Sequence, residues 1–122
     1  MKKNVPTIIF AISWLLIVTI LLCIPGTRLP KIKWDDKLLF DKWIHVLLFL
    51  ILVLVWCRAY SKPHLKTIFI TVTILSILYG IGMEIVQKYF IPFRSFDVAD
   101  IIADAVGCIA GYLISMKKFQ PR

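Results

Sequence analysis

The chain has 122 residues, 60% of them hydrophobic, and a mean hydropathy of +0.85; soluble domains are usually about 45–50% apolar. Its formal net charge is +8, but the basic residues sit at the ends of apolar runs, which suits anionic headgroups and orientation in a bilayer. No basic face or aromatic reading surface stands apart from those runs, which argues against a nucleic-acid partner and leaves membrane lipids as the expected one.

Read in order, the chain opens on a short basic start with Lys2 and Lys3, followed by a first apolar segment over residues 8–24, long enough to span. A signal peptide is the alternative, but no A-x-A-like site follows the segment, which ends Leu22-Cys23-Ile24-Pro25-Gly26, and a retained span is expected. Pro25 and Gly26 stop the helix. Residues 27–40 form a polar loop with Arg28, Lys31, Lys33, Asp35, Asp36 and Lys37, and Trp34 suits the headgroup level. A second span covers 41–60, a basic turn holds Arg58, Lys62, Pro63, His64 and Lys66, and a third span covers 65–89. Pro92 prevents a helix from running on through the loop 90–96, and a fourth span covers 97–116. The expected fold is all-α, one domain over 1–122, an integral membrane bundle of four transmembrane helices.

Four spans put both termini on one side. The termini and the second loop carry Lys2, Lys3, Arg58, Lys62, Lys66, Lys117, Lys118 and Arg122 without an acid, whereas all seven acids fall toward the opposite surface. The purely basic ends favour cytoplasmic termini, although the Lys/Arg counts of the two surfaces are nearly even. Cys23, Cys57 and Cys108 lie within or at the end of apolar segments, without a C-x-x-C, and read as small buried hydrophobes.

The polar residues inside the spans fall on stripes. Thr73, Ser76, Gly80, Glu84 and Gln87 recur every three or four residues on the third span, and Asp97, Asp100, Asp104, Gly107 and Gly111 do so on the fourth. On the second, Asp41 and His45 share a face with Phe49 one turn deeper. Gly107 and Gly111 would let helix backbones meet closely, with Gly80 and Gly82 doing the same on the third span. Connectivity brings the polar ends of these stripes to one surface. Asp104 lies seven residues past Asp97, roughly 10 Å deeper at 1.5 Å per residue. A carboxylate facing lipid there would cost on the order of 2.5–3.5 kcal/mol, so it should face the bundle, paired or protonated. Several acids this close share at least one proton, which suits acid/base work or cation binding.

Each residue also has a plainer role. Asp41 and Asp97 suit helix N-termini, His45 a hydrogen bond within the bundle, and Glu84 with Gln87 a buried polar network. Arg94 reads equally as an ion-pair partner of Asp97 or Asp100 and as a clamp for a phosphate or carboxylate. Lys42 and Lys88 can reach the cluster from its rim, and Phe90, Phe93 and Phe96 read as an interfacial anchor. His45 with Glu84, Asp100 or Asp104 could form a His/carboxylate metal site, but one histidine without a second ligand at metal-binding spacing is a weak signal, so no metal is expected, and no cofactor motif is present. His64 reads as a solvated loop residue. The candidate catalytic residues are His45, Glu84, Asp100 and Asp104; the candidate ligand-binding residues are Asp41, Gln87, Arg94 and Asp97.

The spaced pattern Asp41-Lys42-x-x-His45-x-x-x-Phe49, Tyr79-Gly80-x-x-x-Glu84-x-x-Gln87 and Pro92-x-Arg94-Ser95-Phe96-Asp97-x-x-Asp100-x-x-x-Asp104-x-x-Gly107-x-x-x-Gly111 resembles the VanZ-like family over residues 41–111. That resemblance implies a small bacterial multi-span membrane protein, in a family named after a member associated with resistance to the glycopeptide teicoplanin. The family usually carries Asn at the Asp104 position, so this chain has an additional acid. The resemblance identifies no reaction. Three functions follow as expectations: a polar pocket for an envelope precursor or a lipophilic glycopeptide, an intramembrane acid/base enzyme acting on an envelope lipid, and a proton-coupled carrier. Four thin spans give a small core and leave a homo-oligomer open.

Overall fold

In the computed structural model of the chain, four α-helices follow one another: α1 (Val5–Leu22), α2 (Trp34–Ala59), α3 (Leu65–Phe90) and α4 (Val98–Phe119). The structure describes residues 5–24, 34–60, 65–92 and 96–119, with the side chains of 34–41 and 65 outside that description. Every element among the described residues is helical, and each helix contains an apolar stretch of at least 18 residues, long enough to cross a bilayer.

The expected bounds of α1, α3 and α4 agree with the structure to within three residues at each end, but α2 starts at Trp34, seven residues before the expected 41. Hydropathy marks only the immersed part of a helix. The 26 residues of α2 are about 39 Å long, against roughly 30 Å of hydrocarbon. The helix therefore continues into what the sequence reading assigned to the polar loop.

The most extensive packing is between α2 and α4, which run in the same direction. A Cβ placed on Gly107 would lie 2.3 Å from the Val46 carbonyl oxygen, and one on Gly111 would lie 2.7 Å from the Leu50 carbonyl oxygen. The two backbones thus touch over a turn of each helix, the close approach that small-xxx-small faces permit in membranes. Gly80 of α3 serves a different neighbour: a Cβ there would meet Asp104 Oδ2 at 2.9 Å and the Phe49 ring at 3.1 Å. Gly82 has nothing within 4 Å, so the packing role expected for it is absent; it lies two residues, about 200°, round the helix from Gly80.

Phe49, Leu52, Val53, Phe69 and Cys108 are enclosed between the helices, while Ile9, Leu16, Ile20, Leu78, Val106 and Leu113 point outward as a lipid-facing surface. Cys57 and Cys108 are buried and Cys23 half-buried, all three as free thiols. The hydroxyls of Ser13, Thr19, Thr71 and Thr73 each donate at 2.8 Å to the carbonyl four residues back, so the proton of each has an acceptor within its own helix.

Helix α1 is fastened differently. Trp14 Nε1 donates to the Leu48 carbonyl oxygen of α2 at 3.2 Å. Near its end, Thr19 hydrogen-bonds the Tyr79 hydroxyl, and Gln87 Nε2 donates to the Leu22 carbonyl oxygen at 2.7 Å. Contact between α1 and α3 is otherwise slight.

Candidate functional site

The common direction of α2 and α4 sets up a ladder of ionisable groups above the glycine contact. Lys42 Nζ lies 2.7 Å from Asp97 Oδ2 and is also hydrogen-bonded to Asp100 Oδ1. One turn deeper, His45 Nδ1 lies 2.7 Å from Asp104 Oδ1, with its Nε2 3.8 Å from Asp100 Oδ2. The three-residue step from Lys42 to His45 on one helix answers the four-residue step from Asp100 to Asp104 on the other. Asp100 stands between the two rungs and touches both.

Helix α3 closes the third side. Glu84 is 1% exposed and its Oε2 accepts the Asp97 amide at 3.0 Å. That amide belongs to the N-terminal turn of α4, where backbone N–H groups have no carbonyl partner within the helix. Asp97 Oδ1 in turn accepts the Ala99 amide at 2.9 Å, the side-chain-to-N2 bond of an N-cap. Asp97 lies just outside the α4 span, and the hydrogen bond from Lys42 holds its carboxyl below the usual aspartate range.

His45, Glu84, Asp100 and Asp104, the four candidate catalytic residues, are thus buried together at the junction of three helices. Asp97 sits at the outer rim of the same cluster, its side chain 40% exposed. Gln87 is equally buried but faces away from it, its amide donating to the Leu22 carbonyl at the end of α1. The Asp41 side chain and Arg94 lie outside the described residues, as do Phe93 and His64. Lys88 does not join the acids; its ammonium lies over the Tyr89 and Phe96 rings, 5.3 and 5.9 Å from their centroids.

The residue underrated by the sequence reading is Lys42. Asp41, His45 and Phe49 share a face at a spacing of four, but Lys42, His45 and Phe49 at three and four fit a helix face equally well. A lysine at the aqueous end of that face, opposite a helix rich in aspartate, was the available signal. Its side chain, 21% exposed, also edges an apolar groove of about 400 Å³ between α2 and α4 with Trp43 and Ile102.

The cluster therefore comprises four carboxyls, one ammonium and one imidazole within a low-dielectric bundle. Such a set can bind a cationic group by exchange with Lys42, or relay protons along Lys42, Asp100, His45 and Asp104. Among the described residues no three His, Cys, Asp or Glu side chains are placed to hold a metal ion.

Four membrane-crossing helices around a buried ionisable site define a multi-pass membrane protein. Residues 3–119 match the family model described as VanZ/LLP1, and the chain belongs to that family. It is also similar to an uncharacterized protein of Schizosaccharomyces pombe, 30% identical over 76 residues, covering 62% of this chain and 46% of the relative. The chain spans about half the length of that curated relative. No solved structure matches. The kinship extends to a fungal protein, so likeness to this group does not by itself place the chain in a bacterial envelope.

Proposed function

We propose that this protein works in the bacterial cytoplasmic membrane, with both termini inside and the ionisable cluster beneath the outer surface. There it binds the polar part of a cell-envelope component or of a lipophilic glycopeptide, and so alters susceptibility to glycopeptides such as teicoplanin. The observation that carries this reading is Lys42 held between Asp97 and Asp100 at the rim. An ammonium of this chain already occupies the site, so an amine-bearing peptidic group has the chemistry to compete for the same oxygens. Arg94, three residues before Asp97, would hold an anionic group on the same ligand. Family kinship supplies the link to glycopeptides, and the acid-free basic ends supply the orientation.

The test is expression in a glycopeptide-sensitive bacterial host, with teicoplanin titrated against cells carrying the wild type, Asp97→Asn, Arg94→Ala or an empty vector. A shift in susceptibility with the wild type, reduced in both variants, is the expected result. Equal susceptibility with and without the wild-type protein would remove the reading.

A second reading rests on His45, whose ring lies between Asp104 and Asp100. A carboxylate on one ring nitrogen fixes the tautomer and prepares the other for general acid/base catalysis. An envelope lipid would then be the substrate. Turnover by purified protein that His45→Ala abolishes would favour it, and no turnover of any envelope lipid class would count against it.

A further inference from the structure

Helices α1 and α3 are joined near one membrane surface, through Thr19 with Tyr79 and Leu22 with Gln87, and part from each other toward the opposite surface. The gap is a crevice of about 310 Å³ floored by Leu52, Trp56 and Tyr60 of α2, with Leu15 on one wall and Val72 and Ser76 on the other. It lies away from the ionisable cluster and is walled almost wholly by hydrocarbon and aromatic groups.

Its dimensions and surroundings indicate an occupant. Leu52 to Tyr60 is eight residues, about 12 Å along α2, while one leaflet contributes roughly 15 Å of hydrocarbon. The crevice therefore takes a chain belonging to one leaflet. It runs down to Tyr60, at the end of α2, where the Trp56 and Tyr60 rings stack with centroids 6.4 Å apart at 21°. Paired aromatic rings of this kind suit the headgroup boundary. At the surface where the crevice ends the chain carries Arg58 and Lys66, and no Asp or Glu occurs in the sequence between Lys42 and Met83. The other helix ends on the same surface add Lys117 and Lys118, again without an acid after Asp104. A basic surface at the end of an apolar slot is complementary to a negatively charged headgroup on an acyl chain.

We infer that the crevice between α1, α2 and α3 is a binding site for an anionic phospholipid of the leaflet at the basic surface, one acyl chain lying against Leu52, Trp56 and Val72. The lipid completes the interface that α1 and α3 leave open. This site is separate from the ionisable cluster and does not depend on the function proposed for it.

Tryptophan quenching tests the inference on the full chain. Two variants are reconstituted, one keeping only Trp56 and one keeping only Trp43, which is 63% exposed and lies on the other face of α2. Brominated-acyl phosphatidylglycerol or brominated-acyl phosphatidylcholine is titrated into unbrominated phosphatidylcholine bilayers. Trp56 should be quenched to half its limit at a several-fold lower mole fraction of the anionic lipid than of the zwitterionic one, while Trp43 follows bulk composition for both. Ser76→Phe, which fills the slot, should bring Trp56 to the bulk curve; where that variant does not fold, the headgroup comparison at Trp56 decides alone. Identical curves for the two headgroups at Trp56, or the same headgroup preference at Trp43, would overturn the inference.

Discussion

Asp104 reaches from α4 to the His45 ring of α2, its Oδ1 2.7 Å from Nδ1, while a Cβ on Gly80 of α3 would come within 2.9 Å of its other oxygen. One carboxyl thus occupies the space left by a missing side chain and fixes a buried imidazole. An amide oxygen can accept the same bond from Nδ1–H. Asp104→Asn is therefore expected to keep the fold, with a stability change within about 1 kcal/mol. Asp104→Leu leaves the ring without its acceptor and should lose about 1–3 kcal/mol. Thermal unfolding in one detergent compares the two, and equal losses would show that the His45 contact contributes nothing.

Lys42 bridges two carboxylates, so its removal leaves like charges facing each other. Lys42→Met should destabilise the bundle by about 2–4 kcal/mol, near the range for a broken buried pair and reduced by its partial exposure. Adding Asp100→Asn should recover a large part of that loss. A double-mutant cycle measures the coupling, expected at about 0.5–3 kcal/mol for groups in direct contact.

The glycines separate packing from propensity. Gly107→Ala drives a methyl into the Val46 carbonyl and should lose about 1–3 kcal/mol even after the gain in helix propensity. Gly82→Ala meets open space and should be neutral or stabilise by up to about 1 kcal/mol. Unfolding in graded SDS distinguishes them, and similar losses would contradict the backbone contact.

Gln87 holds the end of α1 through the Leu22 carbonyl. Gln87→Leu should weaken that attachment by about 0.6–1.7 kcal/mol, the average and upper values for hydrogen bonds in membranes. Maleimide labelling reads it locally: half-buried Cys23, next to Leu22, should react faster, while buried Cys57 and Cys108 keep their wild-type rates.

Asp97 supplies a pH dependence of known sign. Lys42 holds its carboxyl below the ordinary value of 3.8, so the folded state binds this proton less readily than the unfolded chain. The stabilisation is complete above the ordinary value and is lost as pH falls from there through the folded value. Wild type should lose stability through that window, and Asp97→Asn should show a shallower slope. Parallel slopes would assign the acid sensitivity to other groups.

The helices were legible in the sequence because long apolar runs admit few alternatives in a bilayer. The start of α2 was not, because its first turns lie beyond the hydrocarbon that hydropathy detects. Convergence of His45, Glu84 and Asp104 followed from depth and connectivity alone. Which polar groups actually pair depended on rotation about each helix axis. Asp41 and Lys42 differ there by only about 100°, and a periodicity of three or four accommodates either. Gln87 shared the Glu84 stripe, yet the path of α1, which no periodicity records, determined that its amide would bond Leu22.

The backbone contact between α2 and α4 has a consequence for biosynthesis. The ribosome makes α4 after α2 and α3, so Lys42 and His45 are made before Asp97, Asp100 and Asp104. During that interval the nascent chain has a basic residue and an imidazole without these counter-charges, and the α2 backbone at Val46 and Leu50 without the glycines that cover it. A chain stalled before Val98 would leave uncovered what the complete chain encloses, a surface fit for quality-control proteolysis.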